Sequence, residues 1–121
     1  MTVIDQHDTD TATRVWTSAC AFDDLVPGRG VAVLLPDAIQ VALFRMSDDR
    51  LYAVGNVDPF GRAAVMSRGL VGDRAGEPTV ASPLLKQVFS LRTGRCLDDD
   101  TVELGIYETR VVDGTVEVCP R

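Results

Sequence analysis

Histidine is almost missing from this chain. The only one, His7, sits in a polar leader. Lysine is as scarce, with Lys86 alone. Cysteine occurs three times, at Cys20, Cys96 and Cys119, far apart and with no C-x-x-C pair. Each shortage removes a class of chemistry. A serine nucleophile needs a base beside it, and no histidine lies in the patterned part of the chain. Three dispersed cysteines with His7 make a poor zinc site, because structural zinc sites draw at least one ligand pair from a tight turn. An odd, scattered set reads instead as buried or half-buried free thiols in a reducing compartment. No apolar run approaches the roughly 20 residues that span a bilayer. The N-terminus has no basic stretch followed by an apolar one, so neither a membrane span nor a secretory signal is expected. The chain carries 18 acidic and 12 basic side chains, a formal net charge of −6. Nucleic-acid partners need clustered Lys and Arg, so they are not expected. A soluble, cytoplasmic protein is the expectation.

What the chain does have is β pattern. Its 121 residues fit one domain with a core that needs no staples. Residues 1–13 are polar, rich in Asp and Thr and without period, which predicts a flexible tail. Residues 14–121 carry the fold. Arg14–Thr17 reads as a first strand, with Trp16 in the core, and Phe22–Leu25 as one helical turn before Pro27-Gly28. Gly30–Leu35 is apolar and β-branched between Gly and Pro36, as a buried strand should be. Ile39–Arg45 should pair with it, and the 47–50 turn leads to the strand Leu51–Val54. Weaker strand signals follow at Gly69–Gly72, Thr79–Ala81 and Gln87–Leu91. Leu104–Val112 and Thr115–Val118 should close the chain as a hairpin across Asp113-Gly114, a strong two-residue turn signal. Many short strands with few helical periods predict an all-β antiparallel sandwich or barrel. Residues 55–85 have the least regular pattern, and so long a loop-rich stretch in a compact domain is usually functional.

Two short loops in that stretch are informative together. The first is Asp58-Pro59-Phe60 and the second Ser82-Pro83-Leu84-Leu85. The strand Leu51-Tyr52-Ala53-Val54 leads into the first, and Gln87-Val88-Phe89-Ser90-Leu91-Arg92-Thr93-Gly94 follows the second. This layout resembles the Rieske family, in which loops of the form Cys-Pro-His and Cys-Pro-x-His hold a 2Fe–2S cluster. The stretch after the second loop is similar to that family's Phe-Asp-x-x-Thr-Gly segment. The resemblance covers about residues 14–119. Both prolines stay in register, but Asp58 and Ser82 stand at the cysteine positions, and Phe60 and Leu85 at the histidine positions. Such a centre needs two thiolates on one iron and two imidazoles on the other. One histidine in the whole chain is too few.

Within the family, a ligandless domain of this size resembles the small subunit of bacterial NAD(P)H-dependent assimilatory nitrite reductase, and the stretch Asn56–Gly72 is its most specific match. That resemblance implies a Rieske-like fold, with the 55–85 loops forming a pseudo-cluster subdomain and no cofactor in this chain. It implies a large-subunit partner carrying FAD, a 4Fe–4S cluster and siroheme, which reduces nitrite to ammonium. This chain would stabilise or orient that partner and hold no catalytic residue. The alternative is a stand-alone ligandless module for protein interaction.

The residues leave some roles open. Asp58 and Ser82 read as turn-formers before proline; as metal ligands they are too few for a hard-cation cage. Phe60 and Leu85 either fill the space a cluster would take or project as an apolar docking patch. In the second case the family's partner-facing edge would be Pro59, Phe60, Pro83, Leu84 and Leu85. Arg62, Arg68, Arg74 and Lys86 form a positive cluster that either steers an acidic partner or anionic substrate or is a solvated face.

Overall fold

The computed structural model describes residues 14–120. The expected tail over residues 1–13, with His7, lies outside them. Nine strands and three 3-10 turns follow one another, with no α-helix among the described residues. In chain order the strands are β1 (Thr17–Ala21), β2 (Arg29–Leu35), β3 (Ile39–Arg45), β4 (Leu51–Gly55), β5 (Leu70–Arg74), β6 (Glu77–Ala81), β7 (Val88–Ser90), β8 (Ile106–Val112) and β9 (Thr115–Pro120). Six form one antiparallel sheet in the order β1-β9-β8-β4-β3-β2, and β5-β6-β7 form a second. The all-β, Rieske-like architecture is the expected one.

β3 explains how the two sheets share one core. Val41, Ala42, Leu43 and Phe44 are all fully buried. Side chains alternate across a strand, and here both sides are covered. Ala42 and Phe44 pack with Met66, Val80 and Phe89, which joins the small sheet to the large one. Val41 and Leu43 pack with Leu25, Val33, Leu35, Val116 and Val118, which closes the large sheet on itself. A strand covered on both faces is therefore apolar throughout, and a half-buried one such as β2 alternates, with Val33 and Leu35 inside and Leu34 66 % exposed.

Two hairpins have two-residue loops. Asp113 and Gly114 have φ of 51° and 80° and join Val112 to Thr115. Both φ values are positive, the condition for the tight turn whose twist suits a hairpin. Ala75 and Gly76, at 53° and 88°, do the same between Arg74 and Glu77. The second turn lacks the Asn or Asp that usually marks such a loop. As a result β5 and β6 are longer than Gly69–Gly72 and Thr79–Ala81.

Three expectations need correction. The first strand is Thr17–Ala21, not Arg14–Thr17, because its partners are Val118 back to Thr115, with a bulge between Ser18 and Cys20. Trp16 is only half-buried and outside both core clusters. Its ring is stacked by the guanidiniums of Arg110 at 4.1 Å and Arg14 at 5.4 Å. The penultimate strand starts at Ile106, not Leu104, since Leu104 donates to the Gly94 carbonyl and Gly105 accepts from Gly55 N–H instead. The expected helical turn is present at Phe22–Asp24.

Candidate functional site

β4 ends at Gly55, and Asn56 anchors the loop beyond it. Its side chain is 2 % exposed. Asn56 Oδ1 accepts from Ser67 N–H at 2.8 Å, and its carbonyl accepts from Met66 N–H at 3.0 Å. The first loop is thereby folded back onto the base of the Met66–Arg68 turn. Asn56 carries this role without any signal in the sequence beyond a polar residue at the end of a strand.

The two candidate loops share one hydrogen-bond plan. Asp58 N–H donates to the Ala63 carbonyl at 2.9 Å, and Arg62 N–H to the Asp58 carbonyl at 2.7 Å. Ser82 N–H donates to the Gln87 carbonyl at 2.9 Å, and Lys86 N–H to the Ser82 carbonyl at 3.1 Å. The fifth residue of each loop is left-handed, Arg62 at φ 57° and Lys86 at φ 64°. The leading side chain of each accepts from the N–H two residues on. Asp58 Oδ1 takes Phe60 N–H at 2.8 Å, and Gly61 N–H at 3.2 Å, while Ser82 Oγ takes Leu84 N–H at 3.2 Å. A third loop repeats the plan. Ser90 N–H meets the Arg95 carbonyl, Gly94 N–H meets the Ser90 carbonyl, and Ser90 Oγ takes Arg92 N–H. Gly94 has φ 76° there.

The first two loops face each other. The Ser82 hydroxyl donates to Asp58 Oδ2. Asp58 is 0 % exposed and Ser82 1 %. Burial pushes the Asp58 carboxyl up, but the Ser82 hydroxyl and the Phe60 and Gly61 N–H groups outweigh it and hold it below the usual carboxylate range. The turn-forming reading of both residues therefore holds, with a bond between the loops added to it.

The two histidine-position residues separate. Phe60 is half-buried and packs on the Phe44–Met66–Phe89 cluster, its ring centroid 6.3 Å from that of Phe89. Leu85 is 56 % exposed and Leu84 47 %. Pro59 and Pro83 are exposed as well. The loops touch at Gly61, where the Leu84 Cδ1 methyl lies 2.8 Å from the place a Cβ would take. Arg62, Arg68 and Lys86 are exposed and make no ion pair with a described residue, whereas Arg74 pairs with Asp98 at 3.5 Å and leaves the positive cluster.

The donor set can be tested against a 2Fe–2S centre directly. It offers one carboxylate and one hydroxyl, bonded to each other, with a phenyl ring turned into the core and an isobutyl group in solvent. These residues do not fit a cluster held by two thiolates and two imidazoles. Among the described residues no group of three or more His, Cys, Asp or Glu is placed to hold a metal ion. Cys20, half-buried, and Cys96 and Cys119, buried, are free thiols as expected.

Residues 15–119 match the family model described as a Rieske-like [2Fe-2S] domain. The nitrite reductase (NADH) small subunit of Escherichia coli K12 is 45% identical over 104 residues, covering 85% of this chain and 95% of that one. A stretch of the nitrite reductase [NAD(P)H] large subunit of Klebsiella oxytoca is 40% identical over 105 residues, 87% of this chain but 11% of that one. A solved structure from Mycobacterium tuberculosis, assigned as an NADH-dependent nitrite reductase small subunit, superposes with a TM-score of 0.86. It is 58% identical and covers 89% of this chain and 96% of its own. With the fold, the paired loops and near full-length similarity in agreement, the chain belongs to the Rieske-like family of nitrite reductase small subunits.

Proposed function

We propose that this chain is the non-catalytic small subunit of a cytoplasmic NAD(P)H-dependent nitrite reductase that reduces nitrite to ammonium in nitrogen assimilation. Its partner is the large subunit, which carries FAD, a 4Fe–4S cluster and siroheme. The small subunit holds no cofactor and stabilises or orients the large one. The observation that carries this reading is the buried Asp58–Ser82 bond, which closes the two loops at the place where the wider family binds its cluster. A domain closed this way offers shape and surface in place of electron transfer. The family relationship supports the partner, and the Klebsiella oxytoca match, inside a chain that is itself a large subunit, supports it further. A stand-alone interaction module has no observation in its favour.

The docking end is formed by Pro59, Pro83, Leu84 and Leu85, with Arg62 and Arg68 beside it. Phe60 supports this end from behind. The test is co-purification with the large subunit, followed by nitrite-dependent NAD(P)H oxidation with and without this chain. Failure of the two to associate at micromolar concentration, or equal turnover and equal large-subunit stability without this chain, would defeat the proposal.

A further inference from the structure

A groove of about 340 Å³ opens between Arg29-Gly30 of β2 and the 67–70 stretch. Its floor is backbone, and glycine is the reason. A Cβ on Gly30 would lie 2.5 Å from the Phe44 ring and 2.7 Å from the Ser67 carbonyl oxygen. A Cβ on Gly69 would lie 2.5 Å from the Ala81 carbonyl oxygen. The Met66–Arg68 turn is thus pressed onto β2 with no side chain between, and the groove has a fixed shape. Its cationic walls are Arg29 and Arg68, both exposed and neither ion-paired with a described residue. No acidic residue lines it.

At the mouth stands Leu70, 78 % exposed, the highest value among the large apolar side chains of the described residues. A single exposed leucine is ordinary. This one sits beside two arginines at the mouth of a preformed groove, and its strand partner across β5–β6 is Ala81. Ala81 leads straight into Ser82–Leu85. The groove mouth and the loop tip are thus linked through one strand pair, Leu70 across from the residue that precedes Ser82. From Pro59 to Gly72 the chain has two arginines and no acid, although its formal net charge is −6. Charge complementarity favours an acidic segment here, while a long polyanion such as nucleic acid is repelled by the rest of the surface.

We infer that this groove is the second half of the docking face and takes a segment of the large subunit with a carboxylate between Arg29 and Arg68 and an apolar side chain against Leu70. The inference rests on the reading of the chain as that subunit's partner. Arg29 and Leu70 thereby join the interface, and neither stands out in the sequence.

The experiment measures association of the full chain with its large subunit, at low and high salt, for three sets of variants. The groove set is Leu70→Glu and the double variant Arg29→Glu with Arg68→Glu. The tip set is Leu84→Asp with Leu85→Asp. Leu34→Glu is the control, an exposed leucine elsewhere on β2. The groove set should weaken binding about tenfold or more at unchanged melting temperature, as truncated interface anchors do, and the arginine pair should flatten the salt dependence. Leu34→Glu should bind as wild type. If a groove variant melts early, Leu70→Ala and Arg68→Gln carry the same comparison. Wild-type affinity in the groove set with loss in the tip set overturns the groove and leaves the subunit reading intact. A wild-type chain that does not bind the large subunit overturns both.

Discussion

The Ser82 hydroxyl donates to Asp58 Oδ2 across 24 residues of chain, in a place sealed from solvent. Asp58 accepts from Phe60 N–H and Gly61 N–H as well. One carboxylate thus satisfies three donors and ties two loops. Asp58→Ala leaves all three facing an apolar void. A buried donor left unpaired costs about 1–3 kcal/mol, so the variant should lose roughly 3 kcal/mol or more. Ser82→Ala leaves Asp58 its two backbone donors and frees only the Leu84 N–H on the exposed loop, so it should lose less, about 2 kcal/mol. Urea unfolding of both variants checks the order, and a larger loss for Ser82→Ala would contradict this account of the site.

Acid should weaken the fold through the same carboxyl. Its folded pKa lies below the usual range. A depressed carboxylate contributes stability above its unfolded value, about 3.9, and that contribution disappears as pH falls through the folded value. Melting temperature should therefore drop steeply below about pH 4. Asp58→Asn keeps an acceptor for the N–H groups and cannot titrate in this range, so its acid limb should be shallower. Parallel acid limbs in the two proteins would assign the drop to other carboxylates.

Phe60 and Leu85 should respond oppositely to the same substitution. Phe60→Asp places a carboxylate against the Phe44–Met66–Phe89 cluster and should destabilise the fold by about 3 kcal/mol or more. Leu85→Asp alters an exposed residue and should melt within about 0.5 kcal/mol of wild type while weakening association with the large subunit. Thermal melting beside a pull-down on each single variant separates the roles. Equal melting losses would mean that Leu85 is also structural.

Anaerobic reconstitution of the purified chain with iron and sulfide should leave it colourless. Neither Asp58–Ser82 nor Phe60 and Leu85 supplies the required thiolates and imidazoles. The same preparation should neither oxidise NAD(P)H nor reduce nitrite. A 2Fe–2S absorbance band or paramagnetic signal would contradict the reading of the site.

The strand frame was legible wherever one physical signal dominated. β2 stands out as an apolar run between Gly and Pro, β3 as its partly alternating partner across Pro36-Asp37, and the closing hairpin by Asp113-Gly114. β1 was misplaced because Ser18, Ala19 and Cys20 are small, carry weak pattern and contain a bulge. The Ala75-Gly76 turn escaped because Ala rarely takes a positive φ; Gly76 and the antiparallel pull of β5 on β6 impose it. Trp16 misled because an aromatic residue beside a strand reads as core, whereas two guanidiniums on its ring satisfy it at the surface. At the site, the loop positions were legible from the two prolines. The split between Phe60 and Leu85 was not, since both are apolar and only the packing of Phe89 decides which turns inward. Nor was the repeated loop plan visible, because Arg62, Lys86 and Gly94 share a backbone conformation without sharing a residue type.

The pairing of β1 with β9 has a consequence for assembly. Thr17 lies opposite Val118, so the two ends of the described fold leave the barrel side by side. A longer polypeptide can hold such a unit by either end, or by both, without opening a strand pair. The Klebsiella oxytoca relative carries a matching stretch within one longer chain. Covalent attachment raises local concentration to the millimolar range for a short flexible linker. Where no tether joins two partners, the contact surface alone must supply the affinity. Joining this chain to its partner by a flexible peptide should therefore rescue weak docking variants while leaving unfolded ones unrescued.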